Sequence, residues 1–93
     1  MTYFALIYTI QDMEKNALYR PAHIAFLTEL KKTGLVETAW KFPDYQLGMI
    51  HSVIICKANS KDEVIECFSR DPIVQSGART IEAREAEQGI FNK

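Results

Sequence analysis

The sequence predicts an α+β domain, a ferredoxin-like plait with one four-stranded antiparallel sheet and both helices on one face. Three observations lead there. Strand-like and helix-like segments follow one another in the order βαββαβ. The second and third strand-like segments are joined only by a short turn that opens on Pro43 and closes on Gly48, so they run antiparallel. At 93 residues the chain forms one domain with a modest core and has no room for two.

Tyr3 to Ile10 is rich in aromatic and β-branched residues and reads as the first strand. Gln11 to Tyr19 is polar without a clear period, which reads as a loop or an extra turn. Pro21 suits the first turn of a helix, where its missing N–H costs nothing. That helix runs to about Thr33, with Lys31 and Lys32 near its negative end and Gly34 closing it. Leu35 to Phe42 is the second strand, Pro43 to Gly48 a turn, and Met49 to Cys56 the third strand. Asn59 and Ser60 offer N-caps for a second helix, with Asp62 and Glu63 in its first turn. Val64, Ile65, Cys67 and Phe68 give it a buried stripe. Asp71-Pro72 starts a short extra turn that Gly77 ends, and Thr80 to Ala86 is a polar strand suited to a sheet edge. From Glu87 on the chain is a tail or an arm.

The faces of the sheet carry a further message. Tyr3, Ala5 and Ile7 alternate with Phe4, Leu6 and Tyr8, so both faces of the first strand are largely apolar. In the third strand Met49, Val53 and Ile55 alternate with Ile50, Ile54 and Cys56. Two helices cover one face only, and a half-wet sheet would alternate apolar with polar. The economical cover for the second face is another copy of the chain, a sheet-on-sheet homodimer.

Composition excludes several functions. Eleven basic and twelve acidic residues give a formal net charge of −1 without a block of either sign. Nucleic acid and anionic membranes need a concentrated basic footprint, so neither is expected as a partner. No apolar run approaches a membrane span, and Met1 leads directly into strand-like sequence, which makes the cytoplasm the default address. The two cysteines, Cys56 and Cys67, lack the spacing of a zinc or redox motif and read as reduced and structural.

The chemistry centres on His23. Phe26, Leu27 and Leu30 follow it at spacings of three, four and seven, so the imidazole shares the stripe that faces the core. Without a partner it would be a core histidine bonded to a backbone carbonyl. Topology supplies a better one. The first helix starts where the first strand ends, and Asp71 follows the second helix at that same end of the fold. A carboxylate on one imidazole nitrogen fixes the tautomer and leaves the other nitrogen to take or give a proton. Asp71 has a second reading, since Asp before Pro is a common helix cap.

Arg20-Pro-Ala-His23 with Phe26-Leu27 behind it, and Asp71-Pro-Ile-Val followed by Gly77, resemble the YCII-related family over roughly Tyr3 to Arg84. The resemblance implies a ferredoxin-like fold in a dimeric α/β barrel and a His–Asp active-site pair, here His23 and Asp71. It also implies acid–base conversion of small, often cyclic, molecules. The sequence departs from the family where Trp40-Lys41 replaces a common Gly-Pro and where Ile73 replaces Phe, so substrate identity does not transfer.

Other residues at the same end complete the candidate site. Arg20 would hold an anionic substrate or be solvated, and Trp40 and Tyr45 would shape an apolar pocket, unless Trp40 packs in the core. His51 would line the pocket from the dimer-facing side, or sit satisfied in the interface. His23, His51 and Asp71 lack a tight metal-binding spacing, so no metal is expected. The function read from these residues is cofactor-independent elimination, isomerisation or hydrolysis of a small metabolite. The alternative is a dimer that binds a small ligand without converting it.

Overall fold

The computed structural model describes residues 1–92. Strand β1 (Thr2–Ile10) leads into helix α1 (Met13–Lys31), followed by β2 (Val36–Lys41), β3 (Ile50–Ala58), α2 (Lys61–Phe68), a one-turn α3 (Pro72–Gln75) and β4 (Arg79–Ala86). The sheet order is β2-β3-β1-β4 with every neighbouring pair antiparallel, so β4 is an edge strand as expected. The tail expected from Glu87 closes with a 3-10 turn at Ile90–Asn92, and its last residue, Lys93, lies outside the described residues.

Burial follows the period of two expected of a strand with one covered face. Phe4, Leu6 and Tyr8 of β1 are buried together with Ile54, Cys56 and Ala58 of β3, against Val64 and Phe68 of α2. Phe26, Leu27 and Leu30 of α1 close over them, with the Phe26 and Phe68 rings edge-on at 6.0 Å. Helix α2 starts as its sequence dictates. The Ser60 side chain accepts from the Glu63 N–H, and the Glu63 carboxylate accepts from the Asn59 N–H. The opposite face carries Tyr3, Ala5, Ile7, Val53 and Ile55, all half-buried in the single chain.

Two expectations fail, and both failures shape the site. The loop expected over Gln11 to Tyr19 is helical. Asp12 is the N-cap, its side chain accepting from the Lys15 N–H at 2.9 Å. Pro21 therefore lies inside α1, and His23 sits about 15 Å along the axis from the helix start rather than in its first turn. The positive end of the helix is too far away to act on it. Hydropathy misses this half of α1 because its one buried residue, Asn16, is polar. The N–H groups of Gln11 and Asp12 both bond to the Ala78 carbonyl, which ties the helix start to the start of β4.

The second failure is one of register. A bulge lies between Tyr8 and Thr9 of β1, where Tyr8 pairs with Ser52 and Thr9 with Ile50. His51 is the extra residue. Past the bulge the alternation of β3 inverts, so Ile50 is exposed rather than in the core, and His51 is buried on the helix side. Gly48, at φ 83°, returns the preceding turn to β1, where its N–H bonds to the Ile10 carbonyl at 2.8 Å.

Candidate active site

Three elements converge on Asp71. The residue is fully buried and caps α3, its Oδ1 accepting from the Ile73 N–H at 3.1 Å. Oδ2 accepts from the Tyr8 hydroxyl and from His23 Nδ1–H, each at 2.6 Å. Cap and histidine partner, which the sequence posed as alternatives, are one residue doing both through different oxygens. Burial, with Asp71 beside it, pushes the Tyr8 phenol well above the usual tyrosine range, so it remains an O–H donor. The Tyr8 and His23 rings meet edge-on at 5.2 Å, which fixes the imidazole plane.

The other nitrogen of His23 is also occupied. Arg79, 1% exposed, donates from Nη1 to His23 Nε2 at 3.2 Å. Its Nη2 donates to His51 Nε2 at 3.2 Å, and its Nε donates to the Asn16 side-chain oxygen at 2.7 Å. An arginine has no acceptor, so both imidazole Nε2 atoms carry lone pairs and both Nδ1 atoms carry the hydrogen. His51 Nδ1–H then donates to Ser52 Oγ at 2.9 Å. The guanidinium lies 5.1 Å from the centre of the Tyr8 ring, on which it makes a cation–π contact. Burial and then Arg79 push His51 down to about 4, with His23, Lys41 and Arg20 adding to the same effect.

His23, His51 and Arg79 form the floor of a cleft of about 160 Å³. Its walls are Ile24, Leu27, Ala39, Ile54 and Trp40, with Ser52 beside His51 and with Arg20 and Lys41 at its exposed rim. Among the described residues no carboxylate lines it. An engineered apolar cavity of about 150 Å³ holds one benzene, so this volume suits a single small ring. Of the residues singled out in the sequence, His23, His51, Arg20 and Trp40 reach the cleft. Asp71 stands behind His23, and the Tyr45 ring meets His51 at 4.5 Å, tilted by 59°, without lining the cleft.

His51 reaches the cleft from the helix side, not from the outer face, because of the β3 bulge. Trp40 is 69% exposed, which removes it from the core of the single chain. Its cross-strand partner is Val53, on the outer face. Tyr8, Asn16 and Arg79 were not singled out. Tyr8 offers one signal, a hydroxyl on the covered face of an apolar strand, whereas Asn16 sits in a polar stretch and Arg79 just before the expected start of a polar strand, where neither stands out.

The YCII-related domain model matches residues 1–86. The chain belongs to the YCII-related family. Among solved structures, a relative of the same fold is the 5-chloro-2-hydroxyhydroquinone dehydrochlorinase of Burkholderia phenoliruptrix, solved in complex with 2,5-dihydroxybenzoquinone. It superposes with a TM-score of 0.77 at 20% identity, covering 98% of this chain and 99% of that one. No curated protein matches the sequence. Among the described residues of this YCII-related chain, no three His, Cys, Asp or Glu side chains cluster as a metal site would require. None of its helices, among the described residues, is long and apolar enough to cross a membrane.

Proposed function

We propose that this chain is a cofactor-independent acid–base enzyme acting on a small, ring-sized and electron-rich molecule, with His23 as base and Asp71 as its orienting partner. The observation that carries the reading is the His23–Asp71 bond at 2.6 Å in the floor of a ring-sized cleft. Asp71 holds Nδ1–H, so Nε2 is the atom that takes a proton from the substrate. The imidazolium so formed keeps its Nδ1–H bond to Asp71. The electron pair left on the substrate either expels a leaving group or moves to another ring position, where His23 returns the proton. The dehydrochlorinase of the same fold and its quinone ligand support a ring substrate. Trp40-Lys41 alters the cleft wall, so the chlorinated substrate itself is not carried over.

The test is His23→Ala. Turnover of hydroxylated and halogenated ring compounds, followed by NMR, should fall about 10²–10⁴-fold while ligand binding by calorimetry survives. Turnover retained within a few-fold would remove His23 as the base. One observation favours a second reading, a dimer that only holds its ligand: Arg79 already occupies Nε2 in this state. Binding without turnover across the same panel would decide for it.

The same proposal includes a homodimer through the outer sheet face. The exposed Trp40 and the half-buried Ile7, Val53 and Ile55 on that face support it. Sedimentation at micromolar concentration should give about twice the 10.7 kDa chain mass. Ile55→Asp should give the monomer, because a buried unpaired carboxylate costs several kcal/mol.

A further inference from the structure

Among the described residues no carboxylate bonds Arg79 directly, and Asp71, the nearest, acts on this buried cation only across the His23 ring. Its partners are neutral: an amide oxygen, two imidazole lone pairs and the face of a tyrosine ring. The nearest acid in the network, Asp71, already spends both oxygens on Ile73, Tyr8 and His23. A buried charge is normally paired, and leaving one unpaired is costly. A guanidinium has five N–H donors, and three are engaged here, which leaves two. The group also borders the cleft, whose remaining charged residues, Arg20 and Lys41, are cationic as well.

We propose that Arg79 sets the specificity of the cleft by receiving an anionic ring oxygen of the ligand, a phenolate or enolate, on its free N–H groups. This rests on the acid–base reading of the same cleft and adds the charge of the molecule that enters it. The geometry gives the docking a second consequence. The bond to Asn16, at 2.7 Å, is short and anchors the guanidinium. The bonds to the two histidines, at 3.2 Å, are long for a charged donor and are the ones that yield. An oxyanion that draws Nη1 toward itself releases His23 Nε2, so the base becomes free when the correct charge arrives.

Two probes separate charge from shape. 2,5-Dihydroxybenzoquinone, whose hydroxyls are vinylogous acids ionised at neutral pH, is compared by calorimetry with its dimethyl ether, which cannot ionise. Wild-type protein should prefer the anion by about ten- to a hundredfold, the range for hydrogen bonds to charged groups. Arg79→Gln should bring the ratio close to one. Arg79→Lys, which keeps the charge but loses the planar fork, should keep only part of the preference. If the Gln variant does not fold, the Lys variant and the wild-type ratio still decide. Equal wild-type affinity for the two probes overturns the proposal, and so does no binding of either at millimolar concentration. A preference intact in the Arg79 variants but lost in Arg20→Ala or Lys41→Ala also overturns it. The acid–base reading fails separately, on the turnover of His23→Ala.

Discussion

Asp71→Asn tests the network at its most connected point. Asp71 presents two oxygens to three donors, at 2.6, 2.6 and 3.1 Å, with no exposure to water. Asparagine has one oxygen. If that oxygen keeps the Ile73 N–H, the amide N–H₂ faces the Tyr8 hydroxyl and His23 Nδ1–H. The hydroxyl turns and accepts. The imidazole is held, because taking the other tautomer would set Nε2–H against the Arg79 N–H. Two charge-assisted bonds at about 1.5–3 kcal/mol each are lost and one neutral bond returns. A buried donor is left unpaired at about 1–3 kcal/mol. The expected loss is about 2.5–8.5 kcal/mol, a large share of the stability of a domain of this size. At about 4–8 °C per kcal/mol, Tm should fall by at least about 10 °C in a circular-dichroism melt. Tyr8→Phe, which removes one donor and strands none, should cost clearly less. A fall of under about 4 °C in Asp71→Asn would show that Asp71 is a helix cap and nothing more, since Asn caps as well as Asp.

The pH dependence of folding should report His51, which is held at about 4 in the folded protein against 6.5 when unfolded. Between those values only the unfolded chain carries the proton, so stability is full above pH 6.5 and falls as pH drops toward 4. At about 1.4 kcal/mol per pH unit the His51 contribution reaches about 3 kcal/mol, and His51→Gln should flatten that part of a urea-denaturation series. An unchanged slope would place the titration elsewhere. Pro21→Ala should raise Tm, because an interior proline costs about 3 kcal/mol in a helix while the alanine chain regains about 1 kcal/mol of unfolded-state entropy. A lower Tm would mean that the ring packs favourably. Ser60→Ala should destabilise by about 0.5–2 kcal/mol, the usual cost of losing an N-cap, and no change would mean that Asn59 or Glu63 caps α2 instead.

The sequence was legible where hydropathy and local chemistry agree. Phe4, Leu6 and Tyr8 keep their alternation through β1, and Ser60 with Glu63 opens α2. His23 and Asp71 lie 48 positions apart, yet element order alone placed them together, because strand and helix directions fix which termini share an end of the fold. The half of the site that stayed hidden is polar. Asn16 is buried in a helix whose first half shows no apolar stripe, Arg79 reads as a charged edge residue, and a single bulge moves His51 through the sheet. A pattern of period two cannot register one inserted residue, and a hydropathy scale counts a buried arginine as solvent-facing.

These hidden residues share a physical reason for being hidden, which also links stability to function. Among the described residues no buried side-chain nitrogen or oxygen lacks a partner, so the site is part of the core rather than a set of groups resting on it. Asp12 fixes the start of α1 against Ala78, Asn16 one turn later anchors Arg79, and Arg79 holds both histidines in one tautomer. The same bonds that stabilise the fold therefore select the tautomer of His23. They leave Arg79 with no directly bonded carboxylate among the described residues and with the cleft as its open side, which is why the proposed anion test is aimed at that residue.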